Sequence, residues 1–96
     1  MFHMSTMYSL TGFQRDLLYV VAGADRPSGQ GIKETPEEDF DTTVNHGRLY
    51  PNLDTLVSKD YVEKGQIDRR TNYYDITDRG WSAIEGRREW ENRYVD

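Results

Sequence analysis

The sequence predicts a mainly α domain with one small β-hairpin, in the order helix, helix, helix, hairpin, helix. Three observations lead there. Capping residues stand directly ahead of stretches whose apolar side chains recur at helical spacing. Two short alternating runs flank the polar loop "DRRTN" at residues 68–72. And 96 residues with 35% hydrophobic and 30% charged content make a single small domain with a modest core, which oligomerisation would help to stabilise.

Residues 1–9, "MFHMSTMYS", show no period and read as a loose arm. Thr11 is an N-cap for "GFQRDLLYVVAG", in which Phe13, Leu17, Val20 and Val21 mark one face and Leu18 widens it. Residues 23–27 end this helix. "SGQGIKETPEEDFDTTV" reads in two ways. Ser28 caps one helix that Pro36 kinks, or Thr35-Pro36-Glu37-Glu38, which spells a capping box, starts a second short piece.

"NHGRLYPNLDTLV" follows, and predicts a helix over 46–59 with Asn45 as its cap. Pro51 is tolerated close to the first turn, where backbone donors lack helical partners. Leu49, Leu53, Leu56 and Val57 bury, while Arg48, Pro51, Thr55 and Ser58 point the other way, with Asn52 and Lys59 beside them. Residues 62–67 and 72–76 read as strands, with Tyr74 and Ile76 alternating inward. Thr77 caps a last helix over 78–96 that carries two apolar stripes, Trp81/Ile84/Val95 and Ala83/Trp90/Tyr94. Two stripes exceed what a small domain must cover, and they predict a homodimer seam through Trp81, Ile84, Trp90, Tyr94 and Val95.

Composition excludes several function classes. Without cysteine there is no disulfide, thiolate zinc site or thiol nucleophile. His3 and His46 lie far apart and make a poor metal pair. No strained nucleophile turn or oxyanion signature accompanies Ser58, His46 and the acids, so neither catalysis nor a cofactor is expected. With no apolar run of transmembrane length and no leader, a cytoplasmic protein without membrane contact is expected. The net charge of −5 rests on 17 acids against nine arginines and three lysines, a balance that fits adaptation to brine. Glu37-Glu38-Asp39-Asp41 reads as a solvated acidic surface. Charge is uneven, however: residues 61–96 are nearly neutral and contain the Arg69–Arg70 pair. Local potential decides where an anion docks.

Three helices followed by a two-stranded wing form the winged variant of the helix-turn-helix, a unit that places one helix in the DNA major groove. On that architecture the candidate contacts to double-stranded DNA are Asn45, His46, Arg48, Asn52, Thr55 and Lys59 on the third helix. Arg69, Arg70, Asn72 and Tyr73 are the candidates on the wing. Arginine suits guanine, asparagine adenine and the threonine methyl thymine. Asn45 and His46 sit where helix amides meet a phosphate, and the paired arginines suit a phosphate or a narrow minor groove. The competing readings are an ordinary solvated helix face, simple capping by Asn45, and pairing of Arg69 and Arg70 with Asp68 or Asp75. Asp54 repels phosphate unless a nearby base pairs with it.

"GRLYPNLDTLVSKDYVEK", "DRRTNYYDIT" and "ITDRG", with "SGQGIKE" ahead of them, resemble the recognition helix, wing, C-terminal helix entry and second-helix start of the PadR-like winged-helix transcriptional regulators. The likeness covers most of residues 11–82, with Pro36 standing where the family usually carries leucine. It is similar to the short, haloarchaeal-looking subgroup with a single C-terminal helix. The resemblance implies residues 10–77 as a DNA-binding domain, residues 78–96 as a dimerisation helix, and a homodimeric repressor reading a pseudo-palindromic site. Two alternatives stand beside it, the first favoured by the net acidity and the second implied by the resemblance. One is a protein–protein adaptor in transcription; the other is a sensor whose Trp81, Trp90 and Tyr94 hold a planar or aromatic small-molecule effector at the seam.

Overall fold

The computed structural model describes residues 7–95, which fold into the expected winged helix-turn-helix. Helix α1 spans Gly12–Gly23, α2 Gly29–Phe40 and α3 His46–Ser58; strands β1 (Val62–Gln66) and β2 (Asn72–Ile76) form the wing, and α4 spans Asp78–Asn92. Among the described residues no helix is long and apolar enough to cross a membrane.

Each helix starts on a polar side chain that takes up an otherwise unpaired amide. Thr11 accepts from Gln14 N at 3.1 Å, and Gln14 Oε1 accepts from Thr11 N in return, a full capping box of which the sequence reading used only Thr11. Ser28 Oγ accepts from Gly31 N at 3.1 Å and Thr77 Oγ1 from Gly80 N at 2.9 Å. Asn45 Oδ1 accepts from Gly47 N at 2.6 Å, so α3 begins where expected. Val44 just outside that helix and Leu49 in its second turn are both buried, the two positions of a hydrophobic staple.

The ambiguity at Pro36 resolves as one helix. α2 runs through the proline without a break, and no second cap forms at Thr35, whose hydroxyl instead donates to Gly31 O at 3.2 Å. Pro36 has no N–H for the carbonyl of Ile32, a loss of about 3 kcal/mol in an exposed helix. Here the ring is buried, and its packing offsets part of that loss. Pro51 lies in the second turn of α3, further in than the sequence reading placed it, with its ring exposed.

α3 ends on Asp60 in the left-handed region (φ 63°), where Asp60 N bonds Val57 O and Tyr61 N bonds Leu56 O, both at 3.0 Å. This Schellman pairing turns the chain straight into β1. The strands pair antiparallel with Val62 opposite Ile76, Lys64 opposite Tyr74 and Gln66 opposite Asn72. β1 stops one residue short of the expected end, because Ile67 N bonds Thr71 O at 2.8 Å inside the loop. A third extended piece went unseen in the sequence: Pro27 O accepts from Tyr74 N at 2.9 Å, and Ser28 bridges Tyr73. It staples the wing to the front of α2.

The core joins Leu17, Leu18 and Val21 of α1, Ile32 of α2, Leu49, Leu53 and Leu56 of α3, Val62 and Tyr74 of the wing, and Ala83 and Ile84 of α4. Each large aliphatic side chain so buried contributes about 2 kcal/mol. Three expectations change. Residues 1–6 of the loose arm, His3 among them, lie outside the described residues, but Met7 is buried in the core at 1% exposure. α4 ends at Asn92, with Val95 N still bonding Glu91 O at 3.1 Å. Ile84 is 4% exposed and packs within its own subunit, so it offers no surface to a partner. Trp81, Trp90, Tyr94 and Val95 remain exposed along α4 and its end.

Candidate nucleic-acid interface

α3 lies on its leucines and shows two different flanks. Towards α1, the Arg48 guanidinium sits over the Phe13 ring, 3.9 Å from its centroid. One turn on, Asn52 Oδ1 accepts from Gln14 Nε2 at 2.9 Å, and Asn52 Nδ2 donates to Arg48 O at 2.7 Å. The amide that an adenine contact requires is therefore engaged inside the fold, and Asn52 works first as a clamp between α1 and α3. Gln14, 9% exposed, is the other half of that clamp and was missed as such. Its signal was the Thr-x-x-Gln spacing. Gln14→Leu removes the reciprocal half of the capping box and the clamp, leaves Thr11 Oγ1 on the residue-14 amide, and should cost about 1 kcal/mol. A double-mutant cycle with Asn52→Ala, read by urea denaturation, should show a coupling of about 0.5–1 kcal/mol.

Towards the wing, Tyr50 and Asp54 face β1 and the loop. Asp54 pairs with Lys64 Nζ at 3.8 Å, which supplies the neighbouring base that its position required. Tyr50 packs edge-on against His46, with centroids 5.9 Å apart, and its ring lies so close to Gly29 that a Cβ there would overlap the hydroxyl. Tyr50, Arg70, Thr71, Asn72, Ser28 and Gln30 line one cleft, so the helix, the wing and the front of α2 meet there. Between the flanks, Thr55 Oγ1 donates to Pro51 O at 3.1 Å. Asn45, His46 and Lys59 are exposed at the two ends of α3.

The wing loop is held by its backbone. Asp68 Oδ1 accepts from Arg70 N at 2.8 Å and Thr71 N at 3.0 Å. This Asx turn engages one oxygen of the Asp68 carboxylate with backbone amides. Asp75 pairs instead with Arg26 Nε at 3.7 Å. Among the described residues neither Arg69 nor Arg70 has a carboxylate within ion-pair distance, and both are exposed. Tyr73 and Asn72 are half-buried. Tyr73 covers Gly65 across the strand pair and lies under Arg26, 5.1 Å from its ring centroid, so its main work is to hold the wing.

Glu37 is not the freely solvated acid expected of its cluster. Lys33 Nζ and Val44 N both donate to its carboxylate at 2.8 Å, joining α2 to the entrance of α3. The Lys33 hydrogen bond above all, and then the Val44 amide, hold its carboxyl below the ordinary glutamate range. A lowered native pKa favours folding above the ordinary glutamate value, and that contribution disappears as pH falls through the lowered one. Glu37→Gln should therefore flatten the acid limb of the stability–pH curve and leave its neutral region parallel to wild type, as read by denaturant midpoints.

An outward-facing helix beside an arginine-tipped wing defines the winged-helix regulators of transcription. The model of the transcriptional regulator PadR-like family matches residues 17–86, and the chain belongs to that family. It is accordingly a transcriptional regulator and not an enzyme. RosR of H. salinarum is 44% identical, with a TM-score of 0.85 over 93% of this chain and 81% of that one. F93 from STIV, a winged-helix DNA-binding protein, superposes with a TM-score of 0.72 at 18% identity over 88% of this chain and 94% of that one. Bacillus subtilis PadR in complex with operator DNA gives 0.67 at 18% identity, over 90% of this chain and 51% of that one. These last two share the fold. No curated protein matches the chain significantly.

Proposed function

We propose that the chain is a homodimeric, sequence-specific DNA-binding repressor that reads a pseudo-palindromic site with the exposed face of α3. The wing grips the adjoining backbone. The carrying observation is the pair Arg69–Arg70, two exposed cations without an ion pair among the described residues, on a turn built by Asp68 Oδ1 with backbone amides. Operator DNA in the Bacillus subtilis PadR complex and DNA binding by F93 support duplex DNA as the partner on the same fold.

Arg48 reads bases once it leaves the Phe13 ring, and Thr55, Asn45, His46 and Lys59 add contacts along the helix; Asn52 contributes with its second amide hydrogen. Arg69 and Arg70 meet phosphate or the minor groove, with Asn72 and Tyr73 setting their height. Trp81, Trp90, Tyr94 and Val95, all exposed, form the two-fold seam. The two α3 helices then enter successive major grooves about 34 Å apart. Repression follows from occupying the promoter, in the cytoplasm where the DNA is.

Anisotropy titration of a labelled duplex from the gene's own upstream region tests this reading. Saturable binding that survives excess random duplex is expected. Indifference to both duplexes at every ionic strength would move the wing and α3 to a protein partner.

A further inference from the structure

We propose, resting on the reading of α3 as the face that meets bases, that Gln14 of α1 is a positioning residue for base discrimination. It fixes the Asn52 amide so that a donor alone faces the duplex. One hydrogen-bonded row joins two backbone ends through two side-chain amides. Thr11 N donates to Gln14 Oε1 at 3.1 Å, Gln14 Nε2 to Asn52 Oδ1 at 2.9 Å, and Asn52 Nδ2 to Arg48 O at 2.7 Å. A backbone N–H only donates and a carbonyl only accepts, so the two ends dictate the direction of every bond between them. Turning over either amide, or both, sets oxygen against oxygen and N–H against N–H. Gln14 is 9% exposed and tied to Thr11 by the capping box, so it cannot follow Asn52 outward.

The row also has an inside and an outside. Its Gln14 end is buried, whereas the bond from Asn52 to Arg48 O lies at the surface. What Asn52 offers outward is therefore the second hydrogen of Nδ2. An asparagine that reads adenine through two bonds needs its oxygen and its nitrogen together on the base edge. Here the oxygen is turned to α1. Adenine then gains one bond through N7, no more than guanine gains through N7 or O6, or thymine through O4. Cytosine shows a donor in the major groove, and its amino group meets Nδ2 donor to donor. Asn52 excludes cytosine and leaves the other three bases nearly equal.

Selection of bound duplexes from a randomised pool by the whole protein tests this, with denaturation midpoints showing that each variant is folded. Asn52→Ala locates the position, since one base pair per half-site should lose its preference. There the wild type should disfavour cytosine about tenfold, with adenine, guanine and thymine within about twofold of one another. Gln14→Glu still accepts from Thr11 N but has no hydrogen for Asn52. The amide then turns its nitrogen to the carboxylate and its oxygen to the duplex, and cytosine should become the preferred base. Gln14→Leu releases the amide, and adenine should rise about fivefold over guanine and thymine. A merely structural Gln14 would weaken all sequences alike and shift no preference. A motif unchanged in both Gln14 variants, a motif unchanged by Asn52→Ala, or a wild type that already selects adenine would overturn the inference while leaving DNA recognition in place. A pool that yields no motif would overturn that recognition, and the inference with it.

Discussion

Replacing Arg69 and Arg70 together by alanine is expected to weaken duplex binding about thirtyfold while leaving the fold intact. The proposed dimer would lose four guanidiniums, and even modest phosphate contacts sum to about 2 kcal/mol. The loss should be uniform across operator and random duplexes, because phosphate contacts position and do not discriminate. The slope of log affinity against log salt should become shallower by about two to four. The turn itself is built by Asp68 with backbone amides, so alanine at both positions keeps it. Circular dichroism and the denaturation midpoint should match wild type. A loss confined to operator DNA would instead mean that the wing reads bases.

Gly80→Ala is expected to be the most damaging single methyl in the chain. Gly80 sits in the first turn of α4, buried against Tyr61 in the turn between α3 and β1 and against Ile76 at the end of β2. A Cβ there would overlap the carbonyl oxygen of Tyr61 and crowd Ile76 Cγ1 at 2.7 Å. The Tyr61 carbonyl cannot step aside, since it accepts from Thr77 N at 3.1 Å and Thr77 Oγ1 fixes the neighbouring Asp60 O at 2.7 Å. Overpacking against fixed backbone should cost about 2–4 kcal/mol and lower Tm by roughly 10–20 °C in a domain of this size. Gly23→Ala is the matched control. No atom lies within 4 Å of its added methyl, and stability should hold or rise slightly. If the seam on α4 forms as proposed, Gly80→Ala should also release dimers, because the helix that carries Trp81 and Trp90 loses its anchor.

The elements were legible wherever a local rule acts alone. Thr11, Asn45 and Thr77 mark helix starts by side-chain chemistry that needs nothing from elsewhere in the chain. The leucines of α3 face inward because helical period leaves no other choice. What stayed hidden depends on distant partners. Nothing near Asn52 reveals that Gln14, 38 residues earlier, holds its amide. Ile84 and Trp81 look alike on a helical wheel, yet one fills the subunit core and the other stays outside. Pro27 and Ser28 serve as a strand edge only because the wing folds back onto them. Glu37 stands in an acidic run, and its value lies in reaching Val44 across the α2–α3 turn. The candidate DNA contacts were legible only as residue types on a face; which of them are engaged inside the fold was a matter of tertiary contact.

The central claim is that α3 and the arginine-tipped wing grip duplex DNA as a symmetric pair. Hydroxyl-radical footprinting of the protein on its own upstream region measures this directly. Two protected patches about one helical turn apart are predicted, each flanked by weaker protection that vanishes in the Arg69→Ala/Arg70→Ala variant. A single unpaired patch, or flanking protection that survives in the variant, would contradict it.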